Sequence, residues 1–475
     1  MNALLNILRD EKFRLPLLLI ITVLSRIPFI FDGYGVEEDS WGLVVNSWQM
    51  HETGHYVASR FPGHPFQEYI YSFIFNSSPA VYNFLSTIWS MAAVGFFYAA
   101  LRKMQMNSAF PVTIMLLFTP SFYIAGTYTI DYAWTLAFVM MSFYFLTADK
   151  PVVSGIVLGF AIGCRITTGV FLLPWLMLIW NSMDFKTSFR AFLKIAVPAG
   201  VTGILWFVPA YLQYGFSFFD YSDQFPYPPF AKIAYKASIG VFGLPGLIAL
   251  AYYAIVSVRK IKAKDFNAVT LFSSERLLLA CLVIVALHII SYLRLPQKSG
   301  YMMPIVPFVY VMFALVLNEK QLRNLAFVFI VSPFIFSINL TDTMRGAAHS
   351  ALAVKFQVSG QEIFIDPLTG PVFSEKSKRL NKMDYCSKVI AATDTITQPS
   401  LIIGGWWYNE IITEHYTRRQ NPLVTHRFYV TCSTLDSAAK AGMKSYYLSE
   451  QDLYNDQMFG QECTHQYTSE FPVKN

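Results

Sequence analysis

Long apolar runs broken by short polar stretches fill the first 340 residues of this chain, and after that they stop. A helix rises ~1.5 Å per residue, so roughly 20 mostly apolar residues cross a hydrocarbon layer ~30 Å thick. Runs near that length cover 15–31, 79–101, 109–126, 132–147, 192–214, 233–258, 277–293, 301–317 and 325–340. The stretch Val152 to Trp180 is too long for one crossing and carries basic residues at both ends. It predicts a hairpin of two short helices turning at Gly163-Cys164-Arg165, with Arg165 at the extracytoplasmic tip.

Counting that hairpin as two gives about eleven passes. Basic residues set their direction. Arg9, Lys12 and Arg14 precede the first run, and further clusters follow alternate runs: Arg102-Lys103, Lys150, Lys186 to Lys194, Arg259 to Lys264, then Lys320 and Arg323. The positive-inside rule puts these in the cytoplasm, which leaves the segment after Asp32 and the C-terminal region on the other side. Arg26 and Pro28 interrupt the first run and no small-x-small site follows, so it is expected to be a span and not a cleaved signal peptide.

From Thr341 the pattern changes to short alternating segments. Strand-like 400–405, 428–431 and 444–449 are interleaved with helix-like 375–393, 406–418 and 433–441, which predicts a small α/β domain over 341–475. No glycine-rich phosphate fingerprint follows a strand there. Cys386, Cys432 and Cys463 fall in this part; one pair could bridge, and sequence does not choose which.

Composition agrees with a membrane protein. Charged residues make up 14% of the chain and hydrophobic ones 54%, where a soluble domain carries about 25% charged residues. Mean hydropathy is +0.41. The net charge of +6 is dispersed, which argues against a nucleic-acid partner.

Charge is instead concentrated between the first two spans. The loop 32–78 holds Glu37, Glu38, Asp39, His51, Glu52, His55, Arg60, His64 and Glu68. Within it Ser40 to Met50 has apolar residues at helical spacing with Trp41 and Trp48, predicting a helix lying flat on the bilayer surface. Asp39 at its start could serve as no more than a helix-terminal carboxylate. The run Glu37-Glu38-Asp39 could hold a divalent ion through oxygen ligands, with plain solvation as the alternative. His51-Glu52-Thr53-Gly54-His55 matches HExxH, the spacing that puts two zinc-binding histidines one helical turn apart, so an intramembrane zinc protease is one reading of the chain. The external aromatic stretch Phe216 to Phe230 could gate a lipid groove or form part of an interfacial belt.

Asp39-Ser40, then Gly54-His55-Tyr56, then Ser59-Arg60-Phe61-Pro62-Gly63-His64-Pro65-Phe66-Gln67-Glu68 resemble the first external loop of the GT-C membrane glycosyltransferases. That superfamily includes the protein O-mannosyltransferases and the lipid A aminoarabinose transferases. Thr129 to Tyr132, the glycine-arginine stretch Gly159 to Pro174, and Arg294-Leu295-Pro296 followed by Tyr301 and Pro304 are similar to further family segments. The likeness covers about 1–340. Gln297-Lys298 departs from it, since relatives often have a carboxylate there.

The resemblance implies a polytopic α-helical GT-C fold and a polyprenyl-phosphate-linked sugar as donor, with an extracytoplasmic glycan, lipid or protein as acceptor. Transfer to a hydroxyl needs a base, for which Asp39 is the first candidate and Glu38 the second. The leaving group is a phosphate, so what needs stabilising is negative charge. Arg165 is the leading phosphate ligand, with pairing to Asp131 as its structural alternative; Arg60, Arg294 and Lys298 rank behind it. His64, Glu68, Asp131 and Tyr301 complete the expected substrate-binding set. Direct displacement would invert the anomeric centre. A lipid or sugar transporter is the competing class, but no second copy of the Gly163–Arg165 break is present to give repeated halves.

Overall fold

A computed structural model describes residues 10–180, 184–219, 227–262, 276–340, 346–358, 361–417, 420–449 and 451–473. Arg9, Lys264 and the 220–226 part of the aromatic stretch lie outside these residues. Among the described residues, five helices are long and apolar enough to cross a membrane: Pro79–Lys103, Phe185–Phe219, Ile239–Ile261, Arg276–Arg294 and Ser299–Val316. Tyr132–Thr147, Pro151–Cys164 and Ile166–Ile179 are apolar but shorter.

Several predicted runs are broken by local chemistry. The run 109–126 divides into Ala109–Leu117 and Pro120–Ala125, because Pro120 cannot continue the preceding helix and starts a new one at its first turn. The helix Pro151–Cys164 ends at the expected place: Arg165 is extended (φ −156°, ψ 110°), and a 3-10 segment Ile166–Phe171 leads into Leu172–Ile179. The run 325–340 does not stay helical. Its helix is Glu319–Val331, opened by a capping box at Asn318, and Ser337–Leu340 is strand β1. β1 pairs antiparallel with β3 (Gln361–Asp366), which also pairs with β2 (Val354–Val358).

Beyond this small sheet lies a second one, of order β5-β4-β6-β7 and parallel throughout. Its strands are β4 (Ser400–Ile403), β5 (Val424–Arg427), β6 (Lys444–Tyr447) and β7 (Thr468–Glu470). β4 is buried along its whole length, with Ile402 in one apolar cluster and Leu401 and Ile403 in another. A central parallel strand covered on both faces requires such an unbroken apolar run. The expected strand 428–431 sits four residues early, at 424–427, so Phe428 and Tyr429 follow the strand instead of forming it. Cys432 and Cys463 are bridged and Cys386 is a buried free thiol.

One helix, Pro371–Thr393, joins this α/β region to the bundle. Arg379 donates to the carbonyls of Phe29 (3.1 Å) and Thr127 (3.0 Å) and lies over the Tyr128 ring. One turn on, Lys382 donates to the Val36 carbonyl (3.2 Å) and faces Glu410 at 3.6 Å, both side chains buried. Burial raises the Glu410 carboxyl to about 7, against the opposing pull of Lys382.

A carboxyl raised on folding binds more protons in the native state. Its stabilising contribution is therefore full below the unfolded value and is lost as pH rises through about 7. Thermal unfolding of the purified protein from about pH 5 to about pH 8 should show this as a falling midpoint, and Glu410→Gln should flatten that fall. Equal slopes for the two proteins would place the titration elsewhere.

Candidate active site

The loop between the first two spans is not a solvated connector. Its helix runs Glu38–Thr53, two residues earlier than the apolar pattern suggested, and Ser40 to Ser47 are buried. It is covered by protein instead of lying on the bilayer. Trp48 stacks on Tyr416 of the α/β domain at 5.1 Å, and Trp41 Nε1 donates to the Gly35 carbonyl at 2.8 Å. Glu38 and Asp39 fall in the first turn, where a helix N-terminus favours carboxylates.

The HExxH reading fails on geometry. Gly54 adopts a left-handed conformation (φ 67°) and ends the helix at Thr53, so His55 is not one helical turn above His51. His51 stacks on Phe75 at 3.6 Å between ring centres. Among the described residues, no group of three or more His, Cys, Asp or Glu is placed to hold a metal ion. In the acidic run, Asp39 is paired with Arg60 and Lys298, and Glu37 with Lys298 at 2.7 Å. Those oxygens already face cationic side chains, an arrangement that does not fit a divalent ion.

These pairs belong to a longer chain of charge. Arg60 bridges Asp39 and Asp131, reaching Asp131 Oδ1 at 3.0 Å. Arg165 Nε donates to Asp131 Oδ2 at 2.8 Å, and its guanidinium lies over the rings of Tyr132 (4.9 Å) and Tyr301 (4.4 Å). Four segments distant in sequence thus meet: the external loop, the start of Tyr132–Thr147, the break at Arg165, and the loop before Ser299–Val316. Burial raises the Asp39 carboxyl, but Arg60 and Lys298 outweigh it and hold Asp39 well below the usual carboxylate range. Asp131 behaves alike: burial opposes ionisation, and Arg165, His64 and Arg60 bring it down to about 2. Burial works against the charge on Lys298 as well, and Asp39 and Glu37 reverse it, raising the amine above its ordinary value.

His64 is neutral in this setting. Burial lowers it, with Asp131 pulling the other way and Arg60 reinforcing burial. The hydrogen bonds agree, because Arg60 Nε donates to His64 Nε2 at 2.9 Å, which leaves Nδ1 as the donor toward the Cys164 carbonyl at 2.5 Å.

Glu68 holds the loop from behind. It accepts from Tyr56 Oη (2.5 Å), Ser59 N (2.8 Å), Ser59 Oγ (2.6 Å) and His64 N (3.0 Å), and is itself fully buried. Gly63 (φ 96°) lies between, where a Cβ would come 2.3 Å from Tyr56 Oη. This explains the spacing from Tyr56 through Gly63 to Glu68.

A cavity of about 870 Å³ opens in front of these groups. Glu38, Asp39, Arg60, His64, Arg165, Arg294, Lys298 and Tyr301 line it. Asp131 and Glu68 are not among its lining residues; they position Arg60, Arg165 and the loop. Sequence reasoning did not single out Lys232, Lys236 and His288, which also line the cavity, nor the aromatic and amide side chains contributed by the α/β domain. The only available signal for the latter was the aromatic density of Trp406 to Tyr408 and Phe428-Tyr429.

No family model and no curated protein matches the chain. Among solved structures, ArnT from Cupriavidus metallidurans in the apo state superposes with a TM-score of 0.54 at 10% identity, over 96% of this chain and 88% of that one. ArnT bound to undecaprenyl phosphate aligns at 0.47 and 15% identity, covering 68% of this chain and 65% of that chain, slightly under two thirds of its length. The Archaeoglobus fulgidus oligosaccharyltransferase complex with Zn and sulfate aligns at 0.44 and 14%, covering 84% and 61%. These two looser superpositions add no weight to the first.

Glu68→Ala would leave several buried donors without an acceptor, a loss of about 3 kcal/mol. A clear drop in the thermal midpoint is expected, with Glu68→Gln losing less; an unchanged midpoint for the alanine variant would remove Glu68 from its place in the loop. The chain has the fold of ArnT from Cupriavidus metallidurans.

Proposed function

We propose that this protein is a multi-pass membrane glycosyltransferase that moves a sugar from a polyprenyl-phosphate-linked donor to an extracytoplasmic hydroxyl. Its N-terminus would be cytoplasmic and its C-terminal α/β domain extracytoplasmic, as the basic flanks require. One observation carries the reading: a single cavity brings the carboxylates Glu38 and Asp39 together with Arg60, Arg165 and Lys298. A phosphate-linked sugar needs those two kinds of group side by side. ArnT, whose fold this chain shares, has been crystallised with undecaprenyl phosphate.

The chemistry follows from the charges. The acceptor oxygen attacks the anomeric carbon while the bond from that carbon to the phosphate oxygen breaks, and the phosphate leaves with the electron pair. Arg165 is held at Nε by Asp131 and packs on the rings of Tyr132 and Tyr301, so its guanidinium is already oriented before a ligand arrives. Preoriented cations in a cavity with restricted water stabilise developing charge without reorganising. The proton from the acceptor passes to Asp39, or to Glu38 in the first turn beside it.

Asp39 without a donor is a poor base, because Arg60 and Lys298 hold it ionised and weakly basic. An incoming phosphate competes for the same two cations. As they turn toward it, Asp39 loses its counter-charges and its basicity rises. The donor would thus switch on the base, and an empty site would not deprotonate acceptors or water. A single displacement of this kind inverts the anomeric configuration.

Two measurements test the assignment on protein reconstituted with a polyprenyl-phosphate sugar. Asp39→Asn should cut turnover by at least about a hundredfold, the ordinary size of a general-base contribution, while donor binding persists. Undiminished transfer would exclude Asp39, and a carrier would keep moving its substrate. Arg165→Ala should impair donor use far more than Arg294→Ala, since Arg294 is an exposed residue at the cavity wall; equal losses would mean that Arg165 serves only Asp131. Mass spectrometry of cell-envelope glycans with and without the protein would then identify the sugar and acceptor.

A further inference from the structure

The cavity has two chemically different halves. On the bundle side its lining is charged, with Arg60, Arg165, Lys298 and the carboxylates of the external loop. On the side of the α/β domain, no lining residue is charged among the described residues: the wall is built from rings and amides such as Tyr408, Asn409, Phe428, Tyr454 and Gln457, with Met458 at the edge.

Sheet topology explains why these side chains gather there. Trp406, Tyr408 and Asn409 follow β4, Phe428 and Tyr429 follow β5, and Gln451 to Met458 follow β6. All are therefore at the carboxyl ends of three adjacent parallel strands. From β4 the chain passes to β5 on one side, whereas from β6 it passes to β7 on the other, so the strand order reverses between β4 and β6. Open parallel sheets bind ligands at such a reversal, in the crevice outside the carboxyl ends. The loops after β4 and β6 meet there: Gln451 Oε1 accepts from Trp406 N at 3.0 Å, and a Cβ on Gly405 (φ 45°) would strike that same oxygen at 1.7 Å. Asn409 Nδ2 also donates to the Glu38 carbonyl at 3.3 Å, which ties this wall to the carboxylates.

We propose that this wall is the acceptor subsite and that it takes an uncharged sugar ring. The axial C–H bonds of a pyranose face carry partial positive charge and suit the negative faces of Tyr and Phe rings. Asn and Gln amides pair with hydroxyls as both donors and acceptors. Phosphate or carboxylate on the acceptor would meet no cation among the described residues that line this wall to offset its desolvation. A ring seated here lies beside Glu38, whose carbonyl Asn409 contacts, and next to it Asp39 meets the phosphate-binding cations Arg60 and Lys298. The inference rests on the transferase reading for the word acceptor, but binding of the sugar does not.

Saturation-transfer NMR on the full-length protein in lipid nanodiscs, with inorganic phosphate present to occupy Arg60, Arg165 and Lys298, tests it. The probes are methyl α-glucopyranoside, methyl α-mannopyranoside and methyl α-galactopyranoside, compared with glucose 6-phosphate, glucuronate and a neutral tripeptide. At least one uncharged pyranoside should bind in preference to the charged sugars and the peptide. Tyr454→Ala and Gln457→Ala, both at exposed positions, should each weaken that binding by up to about tenfold, the scale of one lost ring contact or hydrogen bond, with the thermal midpoint unchanged. Absence of pyranoside binding, preference for the charged sugars or the peptide, or indifference to both wall substitutions would overturn the proposal. Pyranoside binding by a protein that fails to use any polyprenyl-phosphate sugar would keep the subsite and sink the transferase reading instead.

Discussion

Everything in the site depends on how Asp131 is held. This carboxylate is fully buried and takes Arg165 on one oxygen and Arg60 on the other, and Arg60 in turn reaches Asp39. Charges removed from water are costly unless each has partners in good geometry, and breaking one partner leaves the others uncompensated. The chain Lys298–Asp39–Arg60–Asp131–Arg165 meets that condition, so four segments from separate parts of the sequence are locked into one arrangement. Neither Asp131 nor Glu68 lines the cavity. Their effect is to fix where the groups that do line it can point.

The same constraint accounts for the α/β domain. Arg379 and Lys382 on the helix Pro371–Thr393 reach backbone carbonyls at Phe29, Val36 and Thr127, the ends of the segments that carry the site. The domain is fastened to the ends of these bundle segments by charge-assisted hydrogen bonds, and its strand ends form one wall of the cavity. Among the described residues, the charged side chains that line the cavity therefore all come from the bundle side, and the lining side chains contributed by the α/β domain are neutral.

Much of this could be read from the chain. Hydropathy located most of the long helices, because lipid tolerates backbone only when its hydrogen bonds are internally satisfied. The break at Arg165 was legible because an arginine within an apolar run demands a partner or a function. Dense charge between the first two spans marked Asp39, Arg60 and His64. Other features depended on tertiary contacts. The helix Glu38–Thr53 has the amphipathic look of a surface helix, and only the α/β domain packed above it, with Tyr416 on Trp48, shows that it is enclosed. The HETGH sequence has the zinc-site spacing, but Gly54 takes the left-handed conformation that a helix end accepts, and the spacing loses its meaning. Phe428-Tyr429 reads as strand because aromatic residues favour pleated surfaces, whereas here the strand ends at Arg427 and the two rings turn into the cavity.

The most direct test of the central claim is a cryo-EM structure of the protein in a nanodisc containing polyprenyl phosphate. The account expects the phosphate in the cavity, with its oxygens about 3 Å from nitrogen atoms of at least two of Arg60, Arg165 and Lys298, and with Asp39 released from at least one of its present partners. A phosphate bound elsewhere, with the Lys298–Asp39–Arg60 contacts unaltered, would contradict it.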